Sequence, residues 1–367
     1  MPRQRKGPRL HWRQSVGRGG VWEIRDTGDV RISTRTDRRE QAEGALAEYI
    51  AQKYRPRGPA APEQLTVAQA LTIYAEGRGP ELAAAERVGY AIDALDAFWA
   101  DQPVSYINGA TCRRYAVERG VSAGTVRREL GVLQAALKYC GKEGFLIGVP
   151  EVWKPGPTPP VERWLTRQEA AWLLRAARSL NADGRHLTDF ILCGLYTGSR
   201  KATILALHID QATILGGYVD TSQGVLYRRP TGTRETAKRR RPARLPGKYL
   251  SHVQRQANNG RRFVVQDWRG NRVADIRKGW ARAVVLAEEM ARKSNVEIDL
   301  TFPGPSGQKY VTPHILKHTA LTWAMQRGAT IWDAAGYFST SADTIQRVYG
   351  HHSPDHQASA VAAMNRK

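Results

Sequence analysis

Apolar residues recur at helical spacing through most of the chain. Two stripes in the first half repeat every three or four positions: Val88, Ile92, Leu95 and Trp99, then Val126, Leu130, Leu133 and Leu137. Capping boxes that begin at Thr66 and Thr166 mark two helix starts, since each threonine is followed three residues later by Gln or Glu. The pattern predicts a helical bundle over residues 64–150 and mainly helices after it.

A few short segments beside the helices are predicted to be strands. Residues 21–24 and 30–32 flank the turn signal Asp-Thr-Gly-Asp and predict a hairpin, which a helix over 38–53 follows. Residues 224–227 and 243–245 predict a second strand pair around a very basic run. The predicted fold class is therefore mainly α with small β elements (α+β).

Two proline-rich stretches, 55–62 and 150–160, predict linkers and divide the chain into three domains. These are a small strand-and-helix domain over 1–55, the helical bundle over 64–150 and a mixed α/β domain over 160–367. The first 20 residues carry six basic side chains and no acid. Such a segment is a disordered tail or a DNA-binding extension.

Net charge narrows the function more than any other bulk property. The chain has 56 Lys and Arg against 34 Asp and Glu, a formal charge of +22. A globular chain this basic favours a polyanionic partner, because binding to nucleic acid releases counterions. The alternative is a basic protein that its charge keeps soluble.

Cysteine use and hydropathy predict the compartment. The three cysteines are scattered and have no metal-ligand spacing, so we expect neither disulfides nor a zinc site. No apolar run approaches the roughly 18 residues that span a bilayer, and no signal peptide is expected. We therefore expect a protein of a reducing cytosol, with no membrane partner.

Candidate chemistry lies in the last domain. Arg200 follows a Thr-Gly-Ser turn at a predicted helix start, where its guanidinium could bind a phosphate through two hydrogen bonds. Thr312-Pro313 predicts another helix start, which places His314 and Lys317 on one face of its first turns. Tyr349 ends a short predicted helix. Each of these residues, taken alone, is as readily explained by a structural role.

Their order, however, is typical of one family. A Thr-Gly-x-Arg turn, a basic strand pair, the run His-x-x-Lys-His-Thr and a downstream tyrosine follow one another from about residue 160 onward. This arrangement resembles the tyrosine recombinases, or phage-type integrases. The resemblance implies that 160–367 is the catalytic domain, that 64–150 is the core DNA-binding domain and that 1–55 is an arm-type DNA-binding domain.

The resemblance also implies a role for each candidate. Arg200 would be the first catalytic arginine, His314 the motif histidine and Tyr349 the nucleophile, with His314 assisting proton removal from the tyrosine. Lys238, the one lysine among the arginines of the basic run, would be the hairpin lysine that protonates the leaving oxygen. Lys317 would hold phosphate oxygens. Further contacts to DNA are expected from Arg127 and Arg128, which a solvated helix face explains equally well, and from Arg239 and Arg240.

The chain departs from the family pattern at three positions. Lys317 stands where the family has its second arginine, and it lacks the bidentate fork of a guanidinium. Thr340 stands nine residues before the tyrosine, where the family has His or Trp, although Tyr337 and Phe338 lie nearby. The acid that often follows the first arginine is absent, since Lys201 occupies the next position.

The implied function is a site-specific DNA recombinase (integrase) that integrates or excises a phage or mobile element through a 3′-phosphotyrosyl intermediate. No metal or other cofactor is expected. The implied partner is double-stranded DNA, on which monomers assemble into a homotetramer at synapsis, with DNA-bending or directionality proteins as accessories. Two alternatives stay open: a catalytically weak relative that acts as a DNA-binding regulator, and an enzyme similar to type IB topoisomerases.

Overall fold

The computed structural model describes residues 7–15, 18–26, 30–53, 59–82, 84–157, 163–233, 240–304, 307–354 and 356–365. The chain forms two compact units, Met1–Thr158 and Pro159–Lys367. Parts of the two predicted linkers, residues 55–58 and 158–160, lie outside the described residues, as do residues 27–29 of the predicted turn. The mainly helical fold with small sheets is confirmed, whereas the division into three functional domains stays a prediction.

The first unit begins with a three-stranded antiparallel sheet and one helix. Its elements are β1 (Arg9–Ser15), β2 (Arg18–Arg25), β3 (Arg31–Ser33) and α1 (Arg39–Lys53). The predicted hairpin is the pair β2–β3, but β1 lies in the segment that the sequence assigned to a tail or extension. Trp12 pairs with Trp22 across the strands at 5.1 Å between ring centroids, and Arg13 bridges Glu23 at 2.9 Å. These cross-strand contacts hold the segment in the sheet despite its charge.

The rest of this unit is the predicted helical bundle. Its helices are α2 (Val67–Arg78), α3 (Ala85–Trp99), α4 (Gly109–Arg119) and α5 (Ala123–Lys142). The Thr66 capping box forms as predicted, and Ser122 caps α5. The apolar stripe of α5 is buried throughout, and it packs against α2 and α3.

The second unit is mainly helical and contains a four-stranded sheet and a two-stranded sheet. Its helices are α6 (Arg167–Ser179), α7 (Asn181–Thr197), α8 (Lys201–Ile204), α9 (Gly247–Asn258), α10 (Arg277–Lys293), α11 (Ile315–Gln326), α12 (Ile331–Tyr337), α13 (Ala342–Tyr349) and α14 (Ala358–Met364). Its strands are β4 (His208–Ile209), β5 (Tyr218–Asp220), β6 (Val225–Tyr227), β7 (Ala243–Arg244), β8 (Thr301–Gly304) and β9 (Gly307–Tyr310).

The sheet and the core of this unit position the candidate segments. The strands β4 to β7 are sheet neighbours in sequence order, and the pair β6–β7 is the predicted strand pair around the basic run. Helix α7 packs against α6 and α11, so that its C-terminal turn lies near the start of α11. Among the described residues, no helix is both long and apolar enough to cross a membrane.

One helix start differs from the prediction. The α-helix α11 begins at Ile315 rather than just after Thr312, and His314 is its N-cap residue instead of a first-turn residue. The amides of Ile315, Leu316 and Lys317 each bond to the carbonyl three residues earlier, so a tight turn precedes the helix. His314 and His318 still lie on one side of this segment, with ring centroids 4.8 Å apart.

Candidate active site

The turn before Arg200 is fixed by a glycine and two hydroxyls. Gly198 has φ +57°, and a Cβ there would lie 2.4 Å from a ring carbon of Phe338. The Thr197 hydroxyl donates to the Ser199 hydroxyl at 2.9 Å and accepts from the Ser199 amide at 3.2 Å. Glycine is needed here for both conformation and space. The turn therefore presents Arg200 at the N-cap of α8 with its side chain exposed.

A second arginine, which the sequence did not single out, lies beneath this turn. Arg228 follows β6 and is 5% exposed. Its guanidinium donates to the Thr197 carbonyl at 2.9 Å, to the Ser199 hydroxyl at 3.0 Å and to the Arg241 carbonyl at 2.9 Å. It also lies 3.5 Å from the Ser339 hydroxyl. Arg228 thus joins the Arg200 turn to the strand pair and to the loop between α12 and α13.

The basic run itself is only partly described. Lys238 and Arg239 lie outside the described residues, so their predicted roles stay predictions. Arg240 and Arg241 are exposed at the return of this run to the sheet. Because Arg228 binds both the Arg241 carbonyl and the Thr197 carbonyl, this end of the run is held near the turn before Arg200.

Lys317 lies close to both arginines but turns toward the backbone. It is 8% exposed, and its Nζ donates to the Phe338 carbonyl at 3.3 Å. Burial, with the charges of Arg200 and Arg228, lowers the pKa of Lys317 to about 8. Its positive charge is therefore present near neutral pH and is easily lost above it.

The predicted nucleophile contacts a histidine other than the predicted one. The Tyr349 hydroxyl lies 2.6 Å from Nδ1 of His318, and the two ring centroids are 6.0 Å apart. Tyr349 is 6% exposed, and burial raises its pKa to about 12. The sequence placed His314 in this supporting role, whereas the hydrogen bond is made one helical turn later.

The imidazoles beside these residues are held neutral. Desolvation, Lys317 and Arg200 lower the pKa of His314, in that order of size. Desolvation, His314 and Lys317 lower the pKa of His318 to about 4.

Among the described residues, the Arg228 guanidinium has no carboxylate partner. The site therefore concentrates positive charge without neutralising it, which favours an anionic ligand.

A cavity of about 480 Å³ opens beside Arg200. Its wall includes Arg241, the exposed ring of Trp332 and the hydroxyl residues Thr340 and Ser341. Thr340, which stands where the family has His or Trp, thus lies on the cavity wall. Tyr337 and Phe338 are engaged elsewhere, since the Tyr337 hydroxyl donates to the Tyr196 carbonyl and Phe338 packs against Gly198.

Arg127 and Arg128, the predicted DNA contacts of the first unit, are both exposed at the start of α5. The Arg127 guanidinium donates to the Pro155 carbonyl at 2.5 Å. The described residues contain no group of three or more His, Cys, Asp or Glu side chains that could hold a metal ion.

Two residues that lie near Arg200 and Tyr349 in the structure, His318 and Arg228, were not among the candidates predicted from the sequence. His318 directly follows Lys317 in the motif, and its helical position beside His314 was the available signal. Arg228 begins the basic run, where nothing in the sequence separates a buried arginine from its exposed neighbours. Both are recognised only through contacts made across more than 25 residues of chain.

Comparison with solved structures identifies the architecture. The Tn1549 transposon integrase in complex with transposon right end DNA superposes with a TM-score of 0.63 at 16% identity, over 82% of this chain and 100% of that one. A lambda integrase tetramer bound to a Holliday junction matches with a TM-score of 0.55 at 16% identity, over 97% of each chain. The chain has the tyrosine-recombinase fold. The fold that the resemblance implied is thereby confirmed.

A lambda integrase dimer bound to a COC′ core site also matches, with a TM-score of 0.52 at 16% identity, over 96% of this chain and 97% of that one. No protein-family model matches the sequence, and no curated protein matches it. At these identities the tyrosine-recombinase fold is shared although most side chains differ, so the roles of individual residues depend on the geometry described above.

Proposed function

We propose that this protein is a site-specific DNA recombinase that cuts and rejoins DNA through a 3′-phosphotyrosyl intermediate. The observation that carries the proposal is the cluster itself: the Tyr349 hydroxyl is hydrogen-bonded to His318, beside His314, Lys317 and Arg200. A nucleophile next to concentrated positive charge suits attack on a phosphodiester.

In this mechanism the Tyr349 oxygen attacks the phosphorus, and the bond to the 5′-oxygen breaks. Arg200 and His314 hold the non-bridging oxygens as charge develops on them in the transition state. The Lys317 ammonium donates to the Phe338 carbonyl, so Lys317 contributes its positive charge from the buried side of the site. Lys238 protonates the leaving 5′-oxygen.

The phosphotyrosyl bond keeps the energy of the phosphodiester, so a 5′-hydroxyl from a partner strand can reverse the attack. This chemistry requires no metal, nucleotide or other cofactor. Exchange between two duplexes requires four cleavages and therefore a tetramer on DNA, assembled from monomers. The lambda integrase tetramer on a Holliday junction supports this assembly.

The biological role we propose is integration or excision of a phage or mobile element. It is supported by similarity in fold to the Tn1549 transposon integrase bound to transposon end DNA and to lambda integrase. Residues 1–55 and 64–150 would bind arm and core DNA, with Arg127, Arg128, Arg239 and Arg240 on phosphates. DNA-bending or directionality proteins would assist, and the reaction would take place in the cytoplasm or nucleoid.

The proposal is tested with nicked duplexes that contain a randomised core, because a nick near the cleavage point lets the short product diffuse away and traps the adduct. We expect the full chain to form a protein–DNA adduct that survives denaturation and that Tyr349→Phe cannot form. Tight duplex binding without any adduct would contradict the proposal.

A catalytically weak DNA-binding regulator is the second candidate. Two observations favour it: the Lys317 ammonium is buried and bonded to the Phe338 carbonyl, and Thr340 offers only a hydroxyl to the cavity. The same experiment separates the candidates, since a regulator would enrich particular duplexes from the pool by binding alone.

A further inference from the structure

The Tyr349 hydroxyl and His318 form a preorganised pair. His318 lies in α11 and Tyr349 is the last residue of α13, a helix that Ser341 caps and Ile345 anchors in the core. Their 2.6 Å contact joins the reacting oxygen to Nδ1 of the ring. We propose that His318 accepts the phenol proton of Tyr349 as that oxygen attacks phosphorus, a role that rests on the recombinase function proposed above.

The surroundings of His318 keep its acceptor atom available. Burial and the positive charge nearby lower the pKa of the ring to about 4, so it is neutral near neutral pH. A neutral imidazole has one donor and one acceptor nitrogen, and the proposed role requires the tautomer in which Nδ1 accepts from the Tyr349 hydroxyl. Charged and titratable residues also lie on the segments around His318. They are His314 at the N-cap of α11 and Lys317 within it, Asp343, Arg347 and Tyr349 in α13, and His351 and His352 in the 3-10 helix Gly350–His352 that packs against α11.

Proton transfer accompanies the attack and does not precede it. The pKa of Tyr349 is raised to about 12, so a phenolate formed in advance beside a weakly basic imidazole is unfavourable. As the bond between oxygen and phosphorus forms, the phenol oxygen becomes much more acidic, and its proton moves along the existing hydrogen bond to Nδ1.

The step balances in both directions. In cleavage the phenol proton goes to His318, the oxygen–phosphorus bond forms, the bond to the 5′-oxygen breaks, and that oxygen takes a separate proton from the general acid. In ligation a 5′-hydroxyl attacks the phosphotyrosine and gives its proton to the deprotonated general acid, while the His318 imidazolium returns its proton to the departing phenol oxygen. One imidazole thus serves both halves of the reaction.

Two substitutions of His318 separate proton acceptance from hydrogen bonding. In His318→Asn the amide oxygen occupies roughly the Nδ1 position and can accept a hydrogen bond but not a proton, while His318→Phe keeps a ring with no acceptor. We expect adduct formation on a duplex that wild type cleaves to slow by about 10²–10⁴-fold in both, with duplex binding retained. His356→Asn, at an exposed histidine of the same unit, is the matched control and should react like wild type.

In a second experiment, the rate of adduct formation changes only if His318 accepts the proton. Fluorotyrosine at position 349 has a more acidic phenol, so it should recover much of the rate lost in His318→Asn, and more at higher pH. A merely structural role predicts no such recovery and an unchanged pH profile in both variants, and that result would overturn the inference.

The role of His318 and the recombinase function can be refuted separately. If wild type forms the adduct through Tyr349 and both His318 variants keep its rate and pH profile, only the role of His318 is wrong. If wild type forms no adduct on any duplex of the pool, the proposed recombinase function is wrong, and the role of His318 is wrong with it.

Discussion

Lys317 is a buried cation bonded to a backbone carbonyl rather than to a carboxylate. Burial of its ammonium, together with the nearby positive charges of Arg200 and Arg228, lowers the pKa of Lys317 from 10.5 to about 8. Between these values the folded chain binds fewer protons at this site than the unfolded chain does. Stability therefore rises with pH from about 8 to 10.5, and the charged form destabilises the fold below that window.

Replacing Lys317 by Met should remove this contribution. We expect Lys317→Met to raise the free energy of unfolding at pH 7 by roughly 1–3 kcal/mol and to flatten its increase between pH 8 and 10.5. Urea denaturation of both proteins at several pH values measures the difference. A Met variant less stable than wild type at pH 7 would show that the lysine stabilises the site in its charged form.

At the scale of elements, Arg228 joins three segments that carry candidate site residues. It binds the turn before Arg200, the return of the basic run at Arg241 and the loop that leads from α12 into α13. These segments are far apart in sequence and share this one buried side chain. Small displacements of reacting groups are costly in rate.

Removal of the guanidinium should therefore disturb the chemistry more than the binding. We expect Arg228→Met to slow adduct formation by about 10²-fold or more while duplex affinity changes far less. Arg228→Lys should recover little, because one ammonium cannot bind all of these segments. Arg229→Met, at the exposed neighbour, is the matched control for loss of one positive charge. Equal effects at 228 and 229 would refute the positioning role.

The sequence predicted elements better than it predicted contacts. The helices capped at Thr66, Thr166 and Ser341 follow from capping residues and apolar periodicity, both of which are local. Strand β1 was missed because its pairing depends on Trp22 and Glu23 in the next strand. The bond between His318 and Tyr349 spans 31 residues and depends on how α11 and α13 pack, which no local pattern encodes.

At the scale of the whole molecule, the described members of the cluster all belong to one chain. Arg200, His314, His318 and Tyr349 all belong to the second unit, and Tyr349 is buried against a histidine of its own chain. Each subunit is therefore expected to cleave the strand to which its own arginine binds.

Mixing two inactive variants tests this. Arg200→Ala and Tyr349→Phe should each fail to form adduct alone, and their mixture should fail as well, because neither chain contains both groups. Adduct formation is followed on the nicked duplex over a range of mixing ratios, with unmixed wild type as the reference. Recovery of adduct on the Arg200→Ala chain would show that one subunit supplies its tyrosine to another.

A recombinase of this kind forms a covalent bond between Tyr349 and DNA. The most direct measurement is mass spectrometry of proteolytic peptides from the denatured adduct, after nuclease digestion to a residual nucleotide. We predict a 3′-linked nucleotide on Tyr349, absent when the reaction is run with Tyr349→Phe. A nucleotide on another residue, or tight binding of DNA with no modified peptide, would contradict it.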